Sequence, residues 1–274
     1  MAPSQAAQSL FGHVVQPDSL SLFSSTSSDA LALWTSHQDA DLLEDSGIRL
    51  LNDATNEIAP YDSGTTDQSF VLRSEVTCKG NSSEPVLHIQ SPAIRKTFIQ
   101  SPPDDKDELG ILVGQISFQF KTLGRSRPFA FEVGVKDDEG QLGAIRVSSF
   151  QTEPRLYLAL TNKASASVEQ GTKFGGRTVA VLHLPLSMAF GRDHDETSLT
   201  TWQVLTLPLN RLARHLSDAS LAKCTETMRT QNATLFGNFH SISYVKVHAN
   251  MRLRRVWCSQ RLPDHDLPEF QMFS

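Results

Sequence analysis

Along this chain apolar residues recur mainly at every second position, the spacing of half-buried β-strands. Phe129, Phe131, Val133 and Val135 alternate with Ala130, Glu132 and Gly134. Asp137-Asp138-Glu139-Gly140 then turns the chain into Ile145 and Val147, which alternate with Arg146 and Ser148. This pattern predicts a hairpin with one wet face. Ile116, Phe118 and Phe120 repeat it against Ser117 and Gln119, as do Trp202, Val204 and Thr206 against Leu205 and Leu207. Leu20 to Trp34 predicts two short strands around a Ser/Thr-rich loop. Further strand signals lie at Phe70–Leu72, Val86–Ile89, Val179–Leu184, Tyr244–Ala249 and Leu253–Cys258.

One helix interrupts the strands. After Pro208, residues Leu209, Leu212, Ala213 and Leu216 fall on one helical face and leave Arg211, Arg214 and His215 outside. Leu221, Cys224 and Met228 suggest a second helical stretch. Residues 1–9 are expected to be disordered, Asp39–Gly47 to be an acidic linker, and Ser101–Lys106 to be a rigid polar turn. Residues 161–178 and 191–201 have no period and are expected as loops. Many short strands with one or two short helices predict an all-β fold, a sandwich. At 274 residues the chain suits one large domain.

Composition narrows the function. There is no Gly period and no sustained heptad, which excludes collagen and coiled coil. The three cysteines Cys78, Cys224 and Cys258 never form a C-x-x-C pair, so a reducing compartment is expected. Apolar runs fall short of the ~20 residues of a membrane span, and the N-terminus has no Lys or Arg before Arg49. A soluble, intracellular protein without membrane partners is the expectation. No phosphate loop, dinucleotide fingerprint, nucleophile elbow or zinc-protease motif occurs, so no enzyme activity and no cofactor are expected. Asp193-His194-Asp195-Glu196 and Asp264-His265-Asp266 are the only ligand-like runs, and both are expected to be solvated loops rather than metal sites.

Charge changes the picture more. The formal net charge is −5, but the signs are sorted. Residues 1–48 carry six acids and no base, whereas residues 205–261 carry nine bases and two acids. A basic stretch beside an acidic remainder suggests a face for an anionic partner. The alternative is that the two neutralise each other inside the fold. Strand alternation predicts Arg252, Arg254 and Val256 on one side and Leu253, Arg255 and Trp257 on the other. A guanidinium is costly to bury unless paired, so these arginines are either partnered or at the surface. The candidate anion-binding residues are Lys246, Arg252, Arg254, Arg255, Arg211 and Arg214.

At this strand pair the chain resembles a known family. His248-Ala249-Asn250-Met251-Arg252-Leu253-Arg254-Arg255-Val256-Trp257-Cys258-Ser259-Gln260-Arg261-Leu262 is similar to the C-terminal signature of the cilia- and flagella-associated protein 20 family, and Asp266–Phe270 continues it. Leu20–Trp34, Pro102–Leu109, Phe129–Val133, Ser148–Thr152 and Trp202–Arg214 resemble earlier blocks in order. The resemblance implies a jelly-roll-type antiparallel β-sandwich over residues 10–274, with insertions near 38–68, 161–178 and 217–240. It also implies a structural role without catalysis. Family members tie tubulin protofilaments at the inner junction of ciliary doublet microtubules, beside the parkin co-regulated protein, and related domains occur in centrioles. The net acidic charge marks this chain as a divergent paralogue. Its expected address is the axoneme, basal body or centriole. A glycan-binding module is the alternative for such a sandwich, but Trp34, Trp202 and Trp257 sit in apolar alternations and are expected to face inward. Nucleic-acid binding would need a basic groove with interleaved aromatics, against which the net charge argues.

Overall fold

A computed structural model describes residues 8–58, 84–124, 127–158, 172–187, 202–222 and 236–260. In chain order its strands are β1 (Ser19–Ser24), β2 (Thr35–His37), β3 (Gly47–Asn52), β4 (Pro85–Gln90), β5 (Phe98–Ser101), β6 (Gln115–Thr122) and β7 (Ala130–Asp137). They continue with β8 (Leu142–Ser148), β9 (Arg155–Tyr157), β10 (Thr172–Phe174), β11 (Arg177–Pro185) and β12 (Gln203–Pro208). One helical turn, α1 (Leu209–Leu212), precedes β13 (Phe239–His248) and β14 (Met251–Ser259). No helix among the described residues is long and apolar enough to cross a membrane.

The strands form two sheets, as an all-β sandwich requires. One runs β12-β6-β14-β4-β3 with β1 added on β14; the other runs β10-β11-β8-β7-β13-β5-β2 with β9 on β11. The inner faces meet through aromatic rings. Phe118 and Phe120 of β6 pack on Phe131 of β7, with ring centroids 4.4 and 5.0 Å apart. Trp34 is 5% exposed, donates its indole N–H to the Leu22 carbonyl at 2.8 Å, and meets Phe23 edge-on. The joint between sheets is Asn250, between β13 in one and β14 in the other. It is buried, accepts from the Ser91 amide at 2.8 Å and donates to the Pro128 carbonyl at 2.9 Å.

The predicted strands are present among the described residues, with five differences. The second strand expected within Leu20–Trp34 is absent, because Leu31–Leu33 is a turn and β2 begins at Thr35. The sandwich is not wholly antiparallel, because β8 and β11 run parallel. Such a pair needs a long crossover, and residues 149–176 supply it. Inside the stretch expected to be a loop, β10 and β11 make a tight hairpin: Gly175 and Gly176 hold φ of +55° and +72°, the backbone a two-residue turn requires. The acidic linker contains a 3-10 turn (Ala40–Leu42) and runs into β3, the strand flanking β4. Ten residues from Phe239 onward, rather than six, form β13. The helix after Pro208 is one α turn followed by a 3-10 turn (Ala213–Ser217); Leu209, Ala213 and Leu216 are buried as predicted. Phe70–Leu72, Cys224 and Met228 lie outside the described residues.

Candidate functional site

The six basic residues singled out from sequence fall on three separate surfaces. In β14 the ladder to β6 shifts between Leu253 and Arg255, so Arg254 is the extra residue of a β-bulge. The bulge changes the phase of the strand. Leu253, Val256 and Cys258 all reach the core, while Arg252, Arg255 and Trp257 fall opposite Lys121, Gln119 and Ser117 on the other face. Arg252 donates to the Asp53 carboxylate at 2.6 Å, to the Asp53 carbonyl at 2.8 Å, and to Asn56. Arg254 pairs with Glu84. These anions come from the insertion near 38–68 and the start of β4, not from the acidic first 48 residues, whose Asp39 and Asp41 hold Lys96 instead. Arg255 is half-buried. Arg211 and Arg214 are exposed on α1 and the turn after it.

Lys246 stands apart, on the outer face of the eight-stranded sheet, within a cation-rich row. Strand register makes Arg155 on β9, His183 on β11, Arg146 on β8, Glu132 on β7, Lys246 on β13, Gln100 on β5 and Thr35 on β2 successive direct neighbours. With neighbouring strands about 4.8 Å apart, Arg155 to Lys246 spans about 19 Å. A cleft of about 910 Å³ opens over this row, lined also by Arg95, Phe98, Phe150, Tyr157, Lys173 and His248.

The floor of the cleft is a closed charge network. Glu132 is fully buried; its carboxylate accepts from Arg146 Nε at 2.7 Å and from the Tyr244 hydroxyl at 2.9 Å. Burial alone would push this carboxyl up, but the charges of Arg146 and Lys246 bring it down to about 2. Burial pulls the Lys246 ammonium below its ordinary value, partly offset by Glu132. Its Nζ lies 5.1 and 5.5 Å from the ring centres of Tyr244 and Phe98 and donates to the Lys173 carbonyl at 3.2 Å. His248 is lowered to about 4, chiefly by burial. Its Nδ1 lies 3.0 Å from the Ile94 carbonyl, which can only accept, so Nδ1 carries the proton and Nε2 is a bare acceptor. That buried Nε2 and the buried Nε of Arg155 have no hydrogen-bond partner among the described residues.

The wet face predicted for the β7–β8 hairpin is therefore not wet. Ala130, Glu132 and Gly134 are buried. Tyr244, stacked on Phe174 at 4.1 Å, lies across Gly134, where an added Cβ would come within 2.1 Å of the ring. Sequence analysis missed Glu132, Arg146, Arg155 and Lys173 as a group. Its one available signal was an acid and two bases at the polar positions of three strong strands, Glu132, Arg146 and Lys246. Only the register could align them.

Among the described residues no group of three or more His, Cys, Asp or Glu is placed to hold a metal ion. The two ligand-like His runs, Cys78 and Cys224 lie outside the described residues. Cys258 is buried in the core, and burial pushes its thiol up. Trp34 faces inward as expected; Trp257 is buried but lies on the outer face beside Arg255, and Trp202 is half-buried, with Lys121 Nζ 6.0 Å from its ring centre.

Comparison with known proteins gives this arrangement relatives. The CFA20 domain matches residues 77–164, a span that contains β4 to β9 and with them Glu132, Arg146 and Arg155. The run from His248 to Leu262 lies beyond that match. Two proteins named Cilia- and flagella-associated protein 20, from Paramecium tetraurelia and Chlamydomonas reinhardtii, are each 25% identical over 190 residues. The aligned region covers 69% of this chain and 73% of each relative.

Proposed function

From the premise that this is a CFA20-domain chain of the cilia- and flagella-associated protein 20 family, we propose that it is a structural protein of the cilium or flagellum. In this proposal it ties tubulin protofilaments at the doublet inner junction, beside neighbours such as the parkin co-regulated protein, and performs no catalysis. The observation that carries the proposal is the 190-residue similarity to two proteins named for cilia and flagella. The fold supports it, since a sandwich with two broad outer faces suits adhesion, and modest contacts repeated along a lattice give avidity. Arg211 and Arg214 are the exposed members of the basic set and are assigned the tubulin contact. Arg252 and Arg254 instead hold Asp53, Asn56 and Glu84 in place.

The test is co-sedimentation with taxol-stabilised microtubules and with isolated ciliary doublets, over a series of salt concentrations. Salt-sensitive pelleting that Arg211→Ala/Arg214→Ala weakens is expected. Absence of pelleting on doublets at every salt would overturn the proposal.

A further inference from the structure

We infer that the cleft over the eight-stranded sheet is a docking groove for an extended acidic peptide of a partner protein. The inference goes beyond the ciliary proposal and does not depend on it.

Charge complementarity comes first. Among the described residues, five cations and no carboxylate line the cleft. Glu132, buried in the floor, offsets one of them, and Asp105 acts on Lys246 from nearby. The cleft remains cationic in a chain whose net charge is −5.

Length comes next. The row from Arg155 to Lys246 spans about 19 Å, which an extended peptide covers with about six residues at roughly 3.3 Å each. A single small anion would engage only one end.

The unmatched groups point the same way. Among the described residues, Arg155 Nε is a buried donor without an acceptor and His248 Nε2 a buried acceptor without a donor. Leaving such groups unmet is costly. An acidic peptide offers both complements, a carboxylate oxygen for the first and a backbone N–H for the second. A sulfated glycan fits less well, because the aromatic faces are taken. Phe98 lies between His37 at 4.5 Å and His248 at 5.2 Å, and Phe174 is stacked on Tyr244. Only Phe150 among the lining aromatics is exposed.

The experiment follows the anisotropy of fluorescein-labelled deca-L-glutamate, with deca-L-glutamine and a heparin hexasaccharide as alternative ligands. Each is titrated with the full chain and two double variants, all first checked for a parent-like thermal melt. Arg155→Ala/Lys173→Ala alters the groove; Arg49→Ala/Arg127→Ala removes the same charge from exposed positions outside it. Saturable binding of the glutamate peptide, absent with glutamine, is expected, with a loss of about tenfold or more in the groove variant alone. Equal loss in both variants would reduce the effect to diffuse charge and overturn the inference. Tighter, groove-dependent binding of the heparin hexasaccharide would replace the peptide with a glycan. No binding of deca-L-glutamate would end it.

Discussion

Glu132 is the residue on which the outer face of the eight-stranded sheet depends. It is completely buried, yet its two neighbours across the ladder, Arg146 and Lys246, are both cations. Glu132→Gln keeps the shape and removes the counter-charge from under both. A loss of about 3–5 kcal/mol in urea unfolding is expected; a midpoint equal to the parent's would show that the network contributes nothing. His248 adds a pH dependence of definite sign. Held at about 4 against an ordinary 6.5, it stays neutral in the folded chain where the unfolded chain takes up a proton. Its contribution is complete above pH 6.5 and is lost as the pH falls toward 4, at about 1.4 kcal/mol per unit. Glu132, at about 2 rather than 4.5, continues the loss from 4.5 downward. Urea midpoints should fall steadily from pH 7 to pH 4, and His248→Gln should flatten the upper half of the curve. A parent midpoint constant over that range would contradict the assignment.

At the level of strands and turns, alternation revealed which segments are β but not how they are phased. Both faces of β7 are buried, because Tyr244, more than a hundred positions away, covers the polar side. No local pattern carries that information. In β14 the bulged residue Arg254 moves Arg255 and Trp257 to the face of Arg252 and Val256 to that of Leu253, and a bulge leaves no signature in a run of mixed apolar and basic residues. The β10–β11 hairpin was more legible than its polar composition suggested, since Gly175-Gly176 is a turn signal. The basic character of the C-terminal region was legible too, but its division between two sheets was not, because β13 and β14 are consecutive in sequence and belong to different layers. Gly134 tests the cover directly. Gly134→Ala places a methyl group where the Tyr244 ring lies, and about 1–3 kcal/mol of destabilisation is expected in thermal melts. An unchanged melting temperature would mean that the ring moves aside freely. The tryptophans separate similarly: Trp34→Ala should cost about 3–5 kcal/mol, and the half-buried Trp202 clearly less in the same assay.

For the molecule as a whole, the joint between sheets decides whether it unfolds as one body. Asn250 holds the Ser91 amide, just past β4, and the Pro128 carbonyl, just before β7, so one side chain fastens a loop from each layer. Asn250→Ala leaves both unmet, at about 1–3 kcal/mol for each buried group. The expected outcome is a single cooperative transition at lower temperature. Two separate transitions would show that the layers melt independently. The same joint has a mechanical consequence. From Phe239 to Ser259 one unbroken ribbon is bonded to β5 and β7 in one layer, then to β4, β6 and β1 in the other. Tension applied across the two layers runs along that backbone. To part them, strands must slide against several neighbours together rather than unzip bond by bond, which makes the domain stiff against tension across its two layers.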